Sequence, residues 1–309
     1  MLAIVAPGQG SQTPGFLSPW LEEPDTRRRL EVLSEAAELD LVAHGTTSDA
    51  ATITDTAVAQ PLIVGAGLAI LPTLLDGAAV TDHVGATTGH SVGEVTAAAI
   101  AGVLTPEQAV VFVRERGRGM AQASAAAPTG MSAVLGGDPD DVATALERHG
   151  LTAANINGGG QVVAAGTLEQ LESLAQDPPA RARVVALAVA GAFHTHHMAP
   201  AVDLLAAHVA DLTPGEPALP LLSNADGRAV PRGTEVLRRL VAQVSGPVRW
   251  DLVMQQLADL GVTGLIEIPP AGTLVGLARR GLRGVETLAL KTPDDLEAAR
   301  RMIAEHGTP

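Results

Sequence analysis

The chain has 309 residues, 46% of them hydrophobic, with a formal net charge of −14 and neither cysteine nor tyrosine. That length accommodates one large domain with an insert, or two domains. The missing residue types exclude disulfides, thiolate metal sites, a cysteine nucleophile and phenolic acid–base chemistry, and the acidic balance argues against general binding to nucleic acid or to anionic membranes. With only 3 Phe and 2 Trp, the core must be aliphatic. No basic and apolar leader opens the chain, and no apolar run reads as long enough to span a bilayer, so the expected location is the cytoplasm.

Leu2–Ala6 reads as a short buried strand, followed at once by Pro7-Gly8-Gln9-Gly10-Ser11-Gln12. A first strand ending in a Gly-rich loop commonly builds part of a site at the carboxyl ends of a parallel sheet. The alternatives are a plain βα turn or a dinucleotide loop, and the latter lacks its third glycine. Helices are expected over Glu22–Ala37 and Gln60–Leu75. The second is apolar nearly all round, hence buried, with Pro61 in its first turn and Pro72 ending or kinking it.

An apolar strand, Val84-Gly85-Ala86, leads into Gly89-His90-Ser91-Val92-Gly93-Glu94, and a helix-forming run follows to Ile100. Gly-x-Ser-x-Gly between strand and helix is the context in which a serine becomes an exposed nucleophile. The helix start aims free N–H groups and a positive dipole end at the place where an oxyanion would form.

Thr105 caps the next helix, with Pro106 at its first position, and the run extends to about Ala125. Arg116 falls inside the apolar arc of that helix, whereas Arg114, Glu115 and Arg118 fall outside it. A buried arginine needs an anionic partner. Two partners fit: Glu94 or another carboxylate in a structural ion pair, or a substrate carboxylate gripped bidentately.

From Met131 the pattern changes. Strands over Met131–Leu135, Thr152–Asn157, Gln161–Ala165 and Ala182–Ala188 alternate with helices over Pro139–His149 and Leu168–Ala175. The order βαββαβ is that of a ferredoxin-like unit. The expected fold is therefore α/β: a large α/β-hydrolase-like domain with a parallel sheet (residues 1–127 and 191–309), carrying an inserted ferredoxin-like subdomain (128–190). Asn155 and Asn157 could face the cleft between them, though local turns are their expected use.

Gly191-Ala192-Phe193-His194-Thr195-His196-His197 returns to the large domain. Three close histidines could suggest a metal site, but no matching carboxylate or thiolate cluster accompanies them, and none is expected. The preferred reading makes His194 the general base for Ser91, with His196 and His197 on the surface at the start of a helix. The remainder reads as a strand-like Leu219–Asn224, helices over Thr234–Val244 and Asp251–Leu260, a strand Gly264–Ile268, a helix Leu274–Leu282, a strand Thr287–Leu290 and a terminal helix Asp294–Glu305 capped near Thr292–Asp295.

Pro-Gly-Gln-Gly-Ser-Gln near the N-terminus, followed by Gly-His-Ser-Val-Gly-Glu and later by Ala192-Phe193-His194-Thr195, resembles the malonyl-CoA:acyl-carrier-protein transacylases, of the stand-alone actinobacterial type. The resemblance covers essentially the whole chain. It implies ping-pong transfer of a malonyl group from coenzyme A to the phosphopantetheine thiol of an acyl carrier protein, in fatty-acid or polyketide synthesis, with no cofactor. It matches Ser91 to the nucleophile, His194 to the base, Arg116 to the substrate-binding arginine, and the N–H groups of Gln9 and Val92 to the oxyanion donors. His90, Gln9 and Phe193 are expected at the substrate, with Phe193 narrowing the acyl pocket. The backbone carbonyl of Gln243 is expected to orient His194. One departure stands out: Pro269-Pro270-Ala271-Gly272 replaces the family's Gly-Pro-Gly and leaves that loop's conformation open. Arg181, Arg183, Arg279 and Arg280 are candidates for docking an acidic carrier protein. The rival readings are a serine esterase or thioesterase, a non-catalytic acyl-CoA or carrier-binding module, and a trans-acting polyketide acyltransferase.

Overall fold

The computed structural model describes residues 1–307. Its first strand, β1 (Leu2–Ala6), is buried along its whole length. Leu2, Ile4 and Ala6 enter one hydrophobic cluster, and Ala3 and Val5 enter another. A strand apolar on both faces belongs inside a parallel sheet covered by helices on both sides.

In chain order β1 is followed by α1 (Pro24–Ala37), α2 (Leu41–Thr46), α3 (Ala50–Thr54), α4 (Thr56–Leu74), β2 (Ala86–Gly89), α5 (Gly93–Ile100) and α6 (Pro106–Ala125). Then come β3 (Thr129–Gly136), α7 (Pro139–Arg148), β4 (Thr152–Gly158), β5 (Gln161–Thr167), α8 (Leu168–Gln176) and β6 (Ala182–Ala186). The chain closes with α9 (Ala199–His208), α10 (Gly233–Ala242), α11 (Trp250–Asp259), β7 (Gly264–Glu267), α12 (Thr273–Gly281), β8 (Glu286–Ala289) and α13 (Leu296–His306).

Two separate sheets result, as the α/β reading expects. The first has order β2-β1-β7-β8 and is parallel throughout. The second has order β4-β5-β3-β6, is antiparallel throughout, and carries its own hydrophobic cluster with α7 and α8. This is the strand order of a ferredoxin-like unit. The second sheet is tied to the segment between α10 and α11, where Ile156 N–H donates to the Val248 carbonyl at 2.8 Å and Val248 N–H to the Ala154 carbonyl at 2.9 Å. β1 and β2 end in register at Ala6 and Gly89, so the loops that follow both strands open at one end of the sheet.

Several expected boundaries move. The strand placed at Val84–Ala86 lies at Ala86–Gly89 and runs up to the serine turn. Leu219–Asn224 forms no full strand; Leu221 makes one parallel bridge to Thr87 at the edge of β2. The expected Glu22 helix is broken at Glu23, because Pro24 takes the first position of α1 after a short 3-10 turn. α2, α3 and the extent of α9 went unread; Asp40 and Asp49 cap the first two, which are only one to two turns long.

α4 begins four residues earlier than expected, because the Asp55 side chain accepts from Ala57 N–H. Pro61 is therefore in the helix interior, and Pro72 stands in the last turn rather than ending the helix at once. At 19 residues and a mean hydropathy of 1.8, α4 has the length and composition of a membrane span, contrary to the expectation that no run did. It is mostly buried inside the protein, packed between α1 and α6.

The Pro269–Gly272 loop is organised by a carboxylate. Glu267, at the end of β7, is fully buried and accepts from the N–H groups of Gly272 (2.9 Å), Leu274 (3.0 Å) and Val275 (2.9 Å). These are otherwise orphan donors at the start of α12. An acidic side chain thus fixes the end of this loop and the start of α12.

Candidate active site

Ser91 sits between β2 and α5 with φ 54, in the left-handed region where a side chain is strained. The turn is possible only with glycine on either side. A Cβ on Gly89 would lie 2.0 Å from the Gly93 carbonyl carbon, and one on Gly93 would lie 2.2 Å from the Ala6 carbonyl oxygen. Asn224 ties the turn from the far side: its Oδ1 accepts from Ser91 N–H at 2.8 Å, and its Nδ2 donates to the Gly89 carbonyl at 2.8 Å.

His194 lies 3% exposed in the irregular segment between β6 and α9, also with positive φ, 61. Its Nε2 is 2.7 Å from Ser91 Oγ, and its Nδ1 is 2.8 Å from the Gln243 backbone carbonyl. A carbonyl only accepts, so the proton belongs on Nδ1, and Nε2 presents its lone pair to the serine hydroxyl. Burial and the neighbouring Arg116 charge push the imidazole down to about 3. It is therefore neutral at pH 7.

Arg116, on α6, is 1% exposed. Its Nη1 donates to Gln60 Oε1 (2.7 Å) and its Nη2 to Gln243 Oε1 (3.0 Å) and, more distantly, to Ser91 Oγ (3.4 Å). The proposed ion pair with Glu94 is not formed: all three acceptors are neutral, and Nε has no partner among the described residues. Glu94 lies one step further back, hydrogen-bonded to the Gln243 amide nitrogen. Burial lowers the Arg116 pKa to about 10, with the Glu94 charge opposing, so the guanidinium stays charged at neutral pH. A buried cation with spare donors and no anion is a receptor for one.

Beside these groups is a cavity of about 100 Å³ whose lining includes Gln60, Met120, Phe193, Ser91, His194 and Arg116. That is far below the roughly 300–1,000 Å³ of an ordinary ligand pocket, and it suits an acyl group of a few atoms. A second cavity of about 220 Å³ shares Gln9, His90, Asn155 and Leu187 with the first and reaches Arg280. Asn155 and Asn157 face this cleft rather than serving local turns. Asn157 Oδ1 is 2.9 Å from His90 Nε2, across the two sheets, and the buried Asn155 Oδ1 has no partner among the described residues.

Among the described residues, the N–H groups of Gln9 and Val92 have no acceptor, whereas those of His90, Ser91 and Gly93 are taken. Gln9 itself is tied down by its side chain, which donates to Thr54 O and Thr56 Oγ1. His196 and His197 form a 3-10 turn ahead of α9. Among the described residues the one grouping with metal-ligand spacing is Glu286, Glu305 and His306, outside this site, and Arg301 already pairs with both carboxylates.

Sequence reasoning missed Gln60 and Asn224. Each was visible as a polar residue in an apolar run, the one in α4 and the other at the end of Leu219–Asn224. Neither has a local pattern that names its partner.

A strained serine bonded to a neutral imidazole at the mouth of a parallel sheet defines a class, the serine acyl-transferring enzymes. A family model described as the acyl transferase domain matches residues 4–302. The chain is 52% identical over 297 residues to the malonyl CoA-acyl carrier protein transacylase of Mycobacterium tuberculosis strain H37Rv, covering 96% of this chain and 98% of that one. It superimposes on the crystal structure of MCAT from Mycobacterium tuberculosis with a TM-score of 0.93 at 51% identity, covering 97% and 99% of the two chains. A malonyl-transacylase solved in complex with its type II PKS acyl-carrier protein is similar at TM-score 0.89 and 28% identity, covering 96% and 98%. The chain belongs to the acyl transferase family, among its malonyl CoA-acyl carrier protein transacylases.

Proposed function

We propose that the protein moves a malonyl group from malonyl-CoA to the phosphopantetheine thiol of an acyl carrier protein, through an ester on Ser91. The observation that carries this reading is the buried Arg116, charged, without an anion, and 3.4 Å from the serine oxygen. An esterase acting on neutral acyl groups has no use for it.

His194 Nε2 takes the Ser91 proton as Oγ attacks the thioester carbonyl. The carbonyl π pair moves to oxygen, and the N–H groups of Val92 and Gln9 donate to that oxyanion. Collapse breaks the C–S bond. The CoA thiolate leaves with the proton from His194, and malonyl-Ser91 remains. The carrier's thiol then runs the same steps in reverse. When the malonyl carboxylate sits on Arg116 it offsets the charge that suppresses His194, so a dicarboxylic acyl group also makes the base stronger. The steps call on no cofactor or metal: the thioester supplies the leaving group.

The second cavity suits the pantetheine arm, with Asn155, Asn157 and His90 offering polar contacts along it. Arg280 lies against Gly159 in the Gly158–Gly160 turn and is exposed, as are Arg181, Arg183 and Arg279, and none of the four makes an ion pair among the described residues. These four arginines are the candidates for the basic surface an acidic carrier protein requires, and the relative solved with its carrier supports that partner. Residues 1–127 with 191–309, and residues 128–190, are read as the two units whose cleft holds the substrate. We place the enzyme in the cytoplasm, with α4 buried in protein rather than lipid.

The test is the intact mass of the protein after brief exposure to malonyl-CoA, followed by holo carrier protein. A malonyl adduct that Ser91→Ala abolishes, and that passes to the carrier, supports the reading. Release of free malonate with no loaded carrier would make the protein a thioesterase.

A further inference from the structure

Glu94 takes no part in the steps above, yet it is 3% exposed and sits in the first turn of α5, three residues past the serine. Both its oxygens are used. Oε1 accepts from Asn224 N–H at 3.2 Å, and Oε2 accepts from Gln243 Nε2 at 2.5 Å. Building on the reading of Arg116 as the carboxylate receptor, we propose that Glu94 is a positioning residue for the malonyl group: it sets the orientation of the Gln243 amide and, through it, of the Arg116 guanidinium.

The donor and acceptor inventory makes the case. The Gln243 amide nitrogen is surrounded by acceptors, namely Glu94 Oε2, the Ser91 carbonyl at 3.1 Å and Asn224 Oδ1 at 3.2 Å. Its oxygen faces Arg116 Nη2 at 3.0 Å. Turning the amide over would set its oxygen against these three oxygens and its NH₂ against the guanidinium. Burial pushes the Glu94 carboxyl up to about 7, so it is partly ionised at neutral pH. In its ionised form it is the only charged member of that set, and charge-assisted bonds are about twice as strong as neutral ones.

The arrangement also explains why the anion stands one residue back. A carboxylate directly on Arg116 would compete with the substrate's. Held behind Gln243, Glu94 still opposes the effect of burial on the guanidinium while leaving donors free. Gln243 has two separate tasks. Its backbone carbonyl holds His194 and its side chain holds Arg116. Of Gln243, Glu94 touches only the side chain. Its other bond, to Asn224 N–H, bears on the serine turn and so acts on both acyl groups alike, whereas the bond to Gln243 acts on carboxylate recognition.

The experiment compares kcat/KM for malonyl-CoA and acetyl-CoA in Glu94→Gln, Glu94→Asp and Gln243→Met, and in the double variant Glu94→Gln/Gln243→Met. A glutamine has a single acceptor oxygen and cannot serve Asn224 N–H and Gln243 Nε2 from separate oxygens. The malonyl-to-acetyl ratio is expected to fall about tenfold in Glu94→Gln, with most of the change in KM, and to recover partly in Glu94→Asp, which keeps two acceptors. The malonyl-to-acetyl ratio of the double variant should be no lower than that of Gln243→Met alone, because Glu94 acts on carboxylate recognition through that amide. An unchanged ratio in Glu94→Gln, or a ratio in the double variant well below that of Gln243→Met, would overturn the inference. Should Glu94→Gln fail to fold, Glu94→Asp against Gln243→Met carries the same comparison. Arg116→Ala, assayed alongside, separates the two levels. If it too leaves the ratio unchanged, the receptor role of Arg116 fails; if it lowers the ratio and Glu94→Gln does not, only the role of Glu94 fails.

Discussion

Ser91 and His194, 103 residues apart in the chain, meet at 2.7 Å, and both stand on left-handed backbone with φ near 54 and 61. The strain is local to the two groups that share a proton. Left-handed geometry costs a side-chain-bearing residue about 1–2 kcal/mol, and glycine returns part of that through its freer unfolded chain. Ser91→Gly is therefore expected to be more stable than Ser91→Ala by about 0.5–1 kcal/mol. Both should be inactive. Denaturant unfolding of the two variants measures the difference, and equal midpoints would remove the strain from the account.

Replacing Arg116 should divide the substrates. Arg116→Ala is expected to lower kcat/KM for malonyl-CoA by about 100-fold and for acetyl-CoA by much less, since only the former presents a carboxylate. Arg116→Lys should restore little, because an ammonium cannot reach Gln60, Gln243 and a carboxylate with one fork. Steady-state kinetics with both thioesters decide it.

The low pKa of His194 has a signed consequence. As the proposed base, His194 must be neutral to take the serine proton, and burial, then the Arg116 charge, hold its pKa far below 6.5. The acid limb of kcat/KM should thus lie well below pH 6.5. In Arg116→Ala, assayed with acetyl-CoA, the limb should move upward, because the second largest of the depressing causes is gone. For stability the sign is the same. Between the folded pKa of about 3 and the unfolded value near 6.5 the unfolded chain binds more protons. The contribution is present above about pH 6.5 and is lost as pH falls through that window. A pH–rate profile with its acid limb at 6.5 or above would contradict this.

Gly93 is where α5 passes over the end of β1. An added methyl would meet the Ala6 carbonyl at 2.2 Å and the Pro7 carbonyl at 2.6 Å, both backbone atoms that cannot turn aside. Gly93→Ala should cost about 2–4 kcal/mol, or prevent folding. Gly77→Ala makes a control: nothing lies within 4 Å of its Cβ, and only its positive φ of 78 is strained. Thermal unfolding of the two variants tests whether close approach, rather than φ, dominates at the serine turn.

Much of this site was legible because its signals are local. Gly89-His90-Ser91-Val92-Gly93 needs glycine where strand, turn and helix crowd together. Arg116 betrays itself by falling on the apolar side of α6, whose cap at Thr105 and first-turn Pro106 were read correctly. The strand and helix order of the second sheet was legible for the same reason, through alternating periods and short turns. α2 and α3 were not, because helices of five or six residues carry too few turns to show a period.

Sequence by itself determined most of the elements and the candidates they carry, since hydrophobic period, capping and glycine placement all act within a few positions, and the resemblance to a family added the roles proposed for Gln9, Arg116 and Gln243. Only the tertiary structure decided their partners. That Arg116 rests on Gln60 and Gln243 rather than on Glu94, that Asn224 pins the serine turn, and that Asn157 reaches His90 are contacts between segments 56 to 133 residues apart. Hydrogen bonds at that range leave no periodic trace in a chain, because their geometry exists only once the two sheets and the helices over them have packed.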